Sequence, residues 1–232
     1  MFHIVNIELN RDCNRSCSYC PISKFPEYKE SSNLNFKLFS KIVGELSDFG
    51  FSGDFCFTGF YEPLMSNNIL KCINYVNKNL GKSRIIVYTN GDYLSKEFID
   101  SIISYNVLLI ISLHDMTNSK GKIKKLKRII NGKVKTIFKT DISKKKLSSR
   151  IGLVNPKIKE KKYFCVNPSL ELTIDCEGNI LFCPDDFFSK NTFGNIKNSK
   201  IFDIWNKKEF KEKRKKVLKG NYAFDSCREC LN

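Results

Sequence analysis

Over its first two thirds the chain alternates between short apolar runs and longer stretches whose apolar positions recur every three or four residues. Strand-like runs cover His3–Leu9, Asp54–Thr58, Arg84–Thr89, Val107–Ser112 and Lys133–Thr140. Helical periods lie between them: Phe39, Ile42, Val43 and Leu46; Ile69, Ile73, Val76 and Leu80; Phe98, Ile99 and Ile102; Ile123, Leu126 and Ile130. Strand–helix alternation with apolar strands predicts an α/β fold, a parallel sheet joined by right-handed crossovers. Five such units, with Arg150–Val154 as a sixth strand, fall short of the eight of a closed barrel. The expected product is an incomplete, open (β/α) barrel.

Pro156 and the charged run Lys157–Lys162 then mark a boundary, dividing the chain into residues 1–155 and 156–232. Beyond it the pattern changes. Leu170–Ile174 and Ile180–Cys183 read as a β-hairpin turning on Glu177-Gly178-Asn179, and Phe202–Leu218 reads as a Lys-rich helix. The second part is therefore expected to be a small hairpin-plus-helix domain.

At 232 residues the chain can bury one good core with a small appendage. Its first residues lack the basic and apolar regions of a signal peptide, and its longest apolar run, Val107 to Leu113, is too short to cross a bilayer. The reading is cytoplasmic, where ten cysteines point to metal or cluster ligation rather than disulfides. The net charge of +16 is uneven, with seventeen Lys or Arg against two acids in residues 120–162. That stretch is either a surface for an acidic partner or the mark of a Lys-rich composition, since the chain has 33 Lys and only seven Arg.

Cys13, Cys17 and Cys20, spaced C-x3-C-x2-C, directly follow the first strand. Three thiols in a tight loop are one short of a structural zinc site, whereas they hold a four-iron cubane and leave one iron open. The segments after the next three strands are polar in turn: Thr58-Gly59-Phe60-Tyr61-Glu62-Pro63, Tyr88-Thr89-Asn90-Gly91 and Ser112-Leu113-His114-Asp115. Their order resembles the radical S-adenosylmethionine (radical SAM) superfamily. The resemblance implies a partial radical SAM barrel with a four-iron cluster on Cys13, Cys17 and Cys20. It places Tyr19 beside the adenine of S-adenosylmethionine, Gly59, Glu62 and Pro63 at its methionyl amine, and Asn90 and Ser112 along the cofactor. Tyr61 stands where that family usually has a second glycine, and His114 where it usually has Asp.

Farther on, Cys165 and Cys183 form a C-x12-G-x4-C hairpin around Gly178, followed by Gly194-Asn195-Ile196, Trp205 and Cys227-x2-Cys230. This is similar to Twitch, the shortened SPASM domain, which holds an auxiliary iron–sulfur cluster. The resemblance implies a second four-iron cluster on Cys165, Cys183, Cys227 and Cys230; a four-cysteine zinc ribbon is the competing reading.

The implied reaction is hydrogen-atom abstraction by a 5′-deoxyadenosyl radical from a small polar substrate of sugar, cyclitol or nucleotide-sugar type, phosphorylated or free. The auxiliary cluster would accept the second electron, giving dehydrogenation, and a flavodoxin or ferredoxin would supply the first. Arg150, in a segment similar to one in sugar-acting relatives, is the expected group at a substrate hydroxyl. Cys176 is the hydrogen donor in the alternative reading, an epimerase. Peptide maturation is a third reading; a non-enzymatic zinc or nucleic-acid-binding module is the remote one, and nucleic acid is not an expected partner. Cys56 and Cys72 read as core filler.

Overall fold

The computed structural model describes residues 1–114, 119–140, 150–154 and 164–230. The first strand, β1 (Ile4–Ile7), leads through a short antiparallel pair, β2 (Asn10–Arg11) and β3 (Glu30–Asn33), that frames the cysteine loop. Four strand–helix units follow: α1 (Phe36–Asp48) and β4 (Asp54–Phe57), α2 (Ile69–Asn79) and β5 (Arg84–Thr89), α3 (Lys96–Ile102) and β6 (Val107–Ser112), α4 (Ser119–Ile130) and β7 (Lys135–Lys139). Asn35 and Ser95 cap α1 and α3 through their side chains, which satisfies backbone N–H groups that have no partner within the helix.

The sheet order is β10-β9-β8-β1-β4-β5-β6-β7, where β8 is Glu171–Ile174, β9 Asn179–Leu181 and β10 Thr192–Asn195. Within it β1, β4, β5, β6 and β7 are parallel, as the alternation predicts. The sixth parallel strand is not where the sequence suggested. Arg150–Val154 forms turns, with Arg150 and Ile151 at positive φ, a backbone state outside any strand. Its place is taken by β8, the first arm of the C-terminal hairpin, which pairs parallel with β1 from Ile4↔Glu171 to Ile7↔Ile174. The short turn α5 (Asn167–Leu170) delivers it there, with the His3 N–H donating to the Leu170 carbonyl. The hairpin thus extends the barrel sheet beyond β1. The predicted boundary at Pro156, with the run Lys157–Lys162, lies outside the described residues, as do Asp115 and the segment 141–149.

Alternation along the strands separates two interiors. Outward positions Val5, Ile7, Phe55, Phe57, Ile85, Val87, Leu109 and Ile111 pack under the helices against Phe39, Ile42, Val43, Leu46, Ile73, Val76, Ile99 and Ile102. Inward positions fill the lower lumen with Cys56, Ile86 and Ile110, flanked by Ile4, Tyr88 and Leu108. Cys56 and Cys72 are buried packing residues, as expected.

The predicted C-terminal helix is two helices, α6 (Ile201–Trp205) and α7 (Lys208–Leu218), broken at Asn206-Lys207. The break turns Arg214 back on Trp205. Its guanidinium lies 4.0 Å from the Trp205 ring and 4.3 Å from that of Phe210, and it donates to the Trp205 carbonyl. Trp205 meets Phe2 edge-on at 5.0 Å, joining this unit to the base of the barrel.

Phe39 is fully buried and contacts the Phe55 and Phe57 rings at about 6 Å between centroids. Phe39→Ala is expected to cost about 3–5 kcal/mol, read as a lowered midpoint with unchanged slope in denaturant unfolding.

Candidate active site

A cavity of about 740 Å³ opens at the C-terminal ends of the parallel strands. Cys13, Cys17, Cys20, Tyr19, Gly59, Glu62, Asn90, Ser112 and Arg150 all line it, so the structure gathers most of the residues the sequence singled out. Pro63 lies behind the wall, starting a short 3-10 turn for which Glu62 is the cap. Cys176 does not line the cavity; it is buried beside Ser32, its Sγ 3.8 Å from that hydroxyl.

Glu62 is nearly inaccessible. Its Oε1 accepts from the Thr89 hydroxyl at 2.7 Å and the Leu64 N–H at 3.1 Å, and its Oε2 from the Asn90 N–H at 2.7 Å. Oε1 is thereby saturated while Oε2 keeps one lone pair for a further donor, which suits an ammonium group. Burial raises its pKa against these three hydrogen bonds. Gly59 has φ +137°, and a Cβ there would sit 2.4 Å from Glu8 Cγ, so only glycine admits the backbone beside that carboxylate. Glu8 in turn accepts from the Phe60 N–H at 3.2 Å.

Tyr61, the departure from the expected glycine, is accounted for by packing. Its hydroxyl donates to the Tyr28 carbonyl at 3.0 Å, and its ring lies in a cluster with Ile22 and Phe187, flanked by Cys13, Cys20 and Phe60. That cluster joins the cysteine loop to the loop after β9. Tyr19 and His114 meet edge-on at 5.3 Å in the cavity wall, an aromatic corner for a flat ring.

The sequence reading missed a second set of lining residues: Asn6 and Glu8 from β1 and its end, Glu171, Thr173 and Asp175 from β8, and Asp186 and Ser189 from the loop after β9. The signal was there for two of them, because Asn6 and Glu8 are the polar positions of the alternating first strand. Asn6 donates to Glu171 at 2.7 Å. Asp175 is buried and accepts from Glu177 N, Asn179 N, Asn179 Nδ2 and the Ser189 hydroxyl, fixing the hairpin turn, while Arg11 pairs with it at 3.6 Å. Burial pushes Glu8 up to about 8, and the nearby Asp175 adds to this against the Phe60 hydrogen bond and Arg11.

Cys165, Cys183, Cys227 and Cys230 line one further cavity, together with Asp185 and Ser226. Burial raises the thiols of Cys165, Cys183 and Cys230, Cys183 well above its ordinary value and Cys230 to about 12. Cys13 and Cys20 in the first cavity are raised by burial too, Cys20 to about 11. Thiols in such surroundings become thiolates when a metal supplies the compensating charge. Within each set the thiols share a cavity rather than closing on one point: among the described residues, no three metal-ligating side chains are gathered around a single ion. Arg150 connects the two cavities. It lines the first and donates at 2.5 Å to Asp185 of the second, whose own N–H donates to Cys183 Sγ at 3.4 Å.

Residues 7–140 match the model of the radical SAM superfamily, and residues 165–231 match SPASM, an iron–sulfur cluster-binding domain. The chain belongs to the radical SAM superfamily. It is 29% identical, over its whole length and 94% of the relative's, to an S-adenosyl-L-methionine-dependent 2-deoxy-scyllo-inosamine dehydrogenase from Niallia circulans. An S-adenosylmethionine-dependent nucleotide dehydratase from Flammeovirga pacifica is 32% identical over 51% of this chain and 41% of its own. The crystal structure of BtrN in complex with AdoMet and 2-DOIA superimposes with a TM-score of 0.86 at 28% identity, covering 100% of this chain and 94% of that one. At 12% identity anSMEcpe with bound AdoMet shares the fold, with a TM-score of 0.68 over 93% of this chain and 80% of its own.

The protein is an oxidoreductase whose cofactors are S-adenosylmethionine and two iron–sulfur clusters. The donor sets fit both. Three thiols line a cavity that Glu62, with one lone pair of Oε2 open, also lines, and four thiols line the second cavity. Replacing Cys227 and Cys230 together with Ala is expected to remove about four irons and four sulfides per chain and leave about four of each. Iron, sulfide and zinc analysis after anaerobic reconstitution reads this directly; zinc lost in place of iron makes the second site a structural ribbon.

Proposed function

We propose that the protein oxidises a secondary alcohol of a small, unphosphorylated aminocyclitol to a ketone, a substrate of the 2-deoxy-scyllo-inosamine kind on which the Niallia circulans relative acts. The observation that carries this is the charge of the cavity interior. Arg15 is committed to Asp92, Arg150 to Asp185 and Arg11 to Asp175, and the exposed Lys139 that also lines the cavity lies over the Tyr88 ring, whereas the carboxyls of Glu8, Glu171 and Asp186 line the walls. A phosphate would meet these acids; a polyol bearing an ammonium group is matched by them.

When bound, the cofactors supply a 5′-deoxyadenosyl radical that takes one hydrogen atom from the substrate carbon and a second cluster that takes the remaining electron. The protein's part is positioning and the proton. Glu62 Oε2 and the Asn90 loop receive the methionyl end of the cofactor, and Tyr19 with His114 its flat ring. Arg150, held by Asp185, presents its guanidinium to the substrate oxygen between the two cavities. Glu8, with Oε1 engaged by the Phe60 N–H, takes the hydroxyl proton on Oε2; a carboxyl that titrates near neutrality suits that step.

The first electron is proposed to come from an acidic flavodoxin or ferredoxin in a cytoplasmic setting. In support, the exposed Lys120, Lys124, Lys125, Lys127 and Arg128 of α4 adjoin the cysteine loop through the Lys122–Asp92 ion pair. Among the described residues no helix is long and apolar enough to cross a membrane. The division at 155/156 is kept as the proposed domain boundary. No observation favours the epimerase, since Cys176 stands outside the cavity.

The test is anaerobic turnover on a panel of aminocyclitols, their phosphorylated forms and neutral cyclitols. Ketone from the free aminocyclitols with one 5′-deoxyadenosine per product supports the proposal; turnover of the phosphorylated forms alone would overturn it. The carboxylate of Glu8 is the active form, so kcat/KM is expected to rise as pH passes up through about 8. Glu8→Gln should lower kcat/KM and remove that limb. Cys176→Ala is expected to leave multiple-turnover dehydrogenation unchanged.

A further inference from the structure

The cysteine loop is fastened to the barrel at two ends by different means. At its base, the Glu62 N–H donates to the Asp12 carbonyl and the Asn10 amide donates to the Glu62 carbonyl. At its far end, Cys20 Sγ lies 3.8 Å from the Phe60 carbonyl. Its middle, Asn14 to Ser16, reaches across to the loop after β5 instead. There a single carboxylate collects four side-chain hydrogen bonds from three residues. Asp92 Oδ2 accepts from Arg15 Nε at 2.6 Å and Asn14 Nδ2 at 2.8 Å, and Oδ1 accepts from Arg15 at 2.8 Å and pairs with Lys122 of α4. Arg15 also donates to the Asn90 carbonyl at 3.1 Å, and the Asn90 amide donates to Asn14 at 2.8 Å. Asn90 closes the circuit, since its Oδ1 accepts from the Asp92 N–H and its own N–H holds Glu62 Oε2.

We infer that Asp92 is a positioning residue that sets the cluster loop in register with the cofactor-binding loop. Its fork-to-fork pair with Arg15 is directional in a way a point charge is not, so it fixes orientation as well as distance. The residues it joins are those that carry the two halves of the cofactor site: the loop holding Cys13 and Cys17 on one side, and the Asn90–Glu62 hydrogen bond on the other. Lys122 adds the start of α4 to the same point, and Lys29 braces the loop from outside by donating to the Arg15 carbonyl and the Ser16 hydroxyl. Without the carboxylate, Arg15 and Lys122 repel each other across the gap, and the loop's middle loses the bridge from Asn14 and Arg15 to α4 while the Asn14–Asn90 and Arg15–Asn90 contacts and the Lys29 brace remain.

This inference rests on family membership and not on the proposed substrate, so it is tested without substrate. Asp92→Ala, Asp92→Asn and Asp92→Glu are reconstituted beside the parent, and three quantities are read: iron per chain, the dissociation constant for S-adenosylmethionine, and the electron paramagnetic resonance spectrum of the reduced cluster before and after adding it. Full iron content is expected throughout, with a dissociation constant raised about tenfold in the Ala and Asn variants. The spectrum without cofactor should match the parent, the change on adding it should be diminished, and Glu should recover part of both. Dissociation constants within about twofold of the parent with the full spectral change would overturn the inference. If the Ala variant does not fold, the near-isosteric Asn variant decides on the same criteria. Loss of iron from a folded Asn variant would also overturn it, since Asp92 would then serve cluster assembly rather than register.

Discussion

The parallel pairing of β8 with β1 is the constraint on which the rest of the molecule turns. It makes the hairpin arm a sixth strand of the barrel sheet and places β1 between β4 and β8, with neighbours on both sides. A buried central strand must satisfy its backbone groups on both edges, and β1 does so only when the C-terminal segment has arrived. Contacts from residue 4 to residue 171 are among the most distant in the chain, so the auxiliary region and the first strand complete each other across nearly its whole length. The active cavity inherits this dependence, because one wall comes from β1 and its end and the adjoining wall from β8.

Much of the barrel was legible because its strands are buried on both faces and its helices on one. Arg84–Thr89 and Val107–Ser112 were placed to the residue, and the apolar faces of α1 to α4 are the ones that pack. What the pattern could not supply was partnership. A strand of four residues such as Glu171–Ile174 carries no mark of which edge it joins, and its antiparallel turn to β9 concealed its parallel pairing with β1. Arg150–Val154 looked like a strand because Ile151, Leu153 and Val154 are apolar, yet Leu153 serves instead in the small cluster around Tyr61 and Phe187. The break between α6 and α7 was hidden because apolar Phe202, Trp205, Phe210 and Val217 span it, and tertiary stacking on Arg214 decides it.

The site divides in the same way. Residues whose chemistry their type announces, the thiols, Gly59, Glu62 and Asn90, are singled out by motif and spacing, and the structure places them in the walls of the two cavities. Those that act by facing a common space were not, since Asp175, Asp186 and Ser189 look like turn formers until the fold turns them inward. Tyr61 shows the converse: a departure from the expected motif that packing explains. A glycine there would leave Phe187 and Ile22 without their neighbour and the Tyr28 carbonyl without its donor.

Electrostatics then ties the two cavities together. Burial raises the pKa of Glu8, Glu62 and Glu171 and of the thiols of Cys13, Cys20, Cys165, Cys183 and Cys230. A cluster and S-adenosylmethionine would supply the compensating positive charge at the thiols and at Glu62. The acids left over, Glu8 and Glu171 foremost, are the ones with no such claim on them, and Arg150 is already bound to Asp185. The proposed aminocyclitol is matched to what remains, the carboxyls of Glu8 and Glu171 in a cavity whose Arg150 is already paired. In that proposal the amine faces Glu171, and the reacting hydroxyl lies between Arg150 and Glu8.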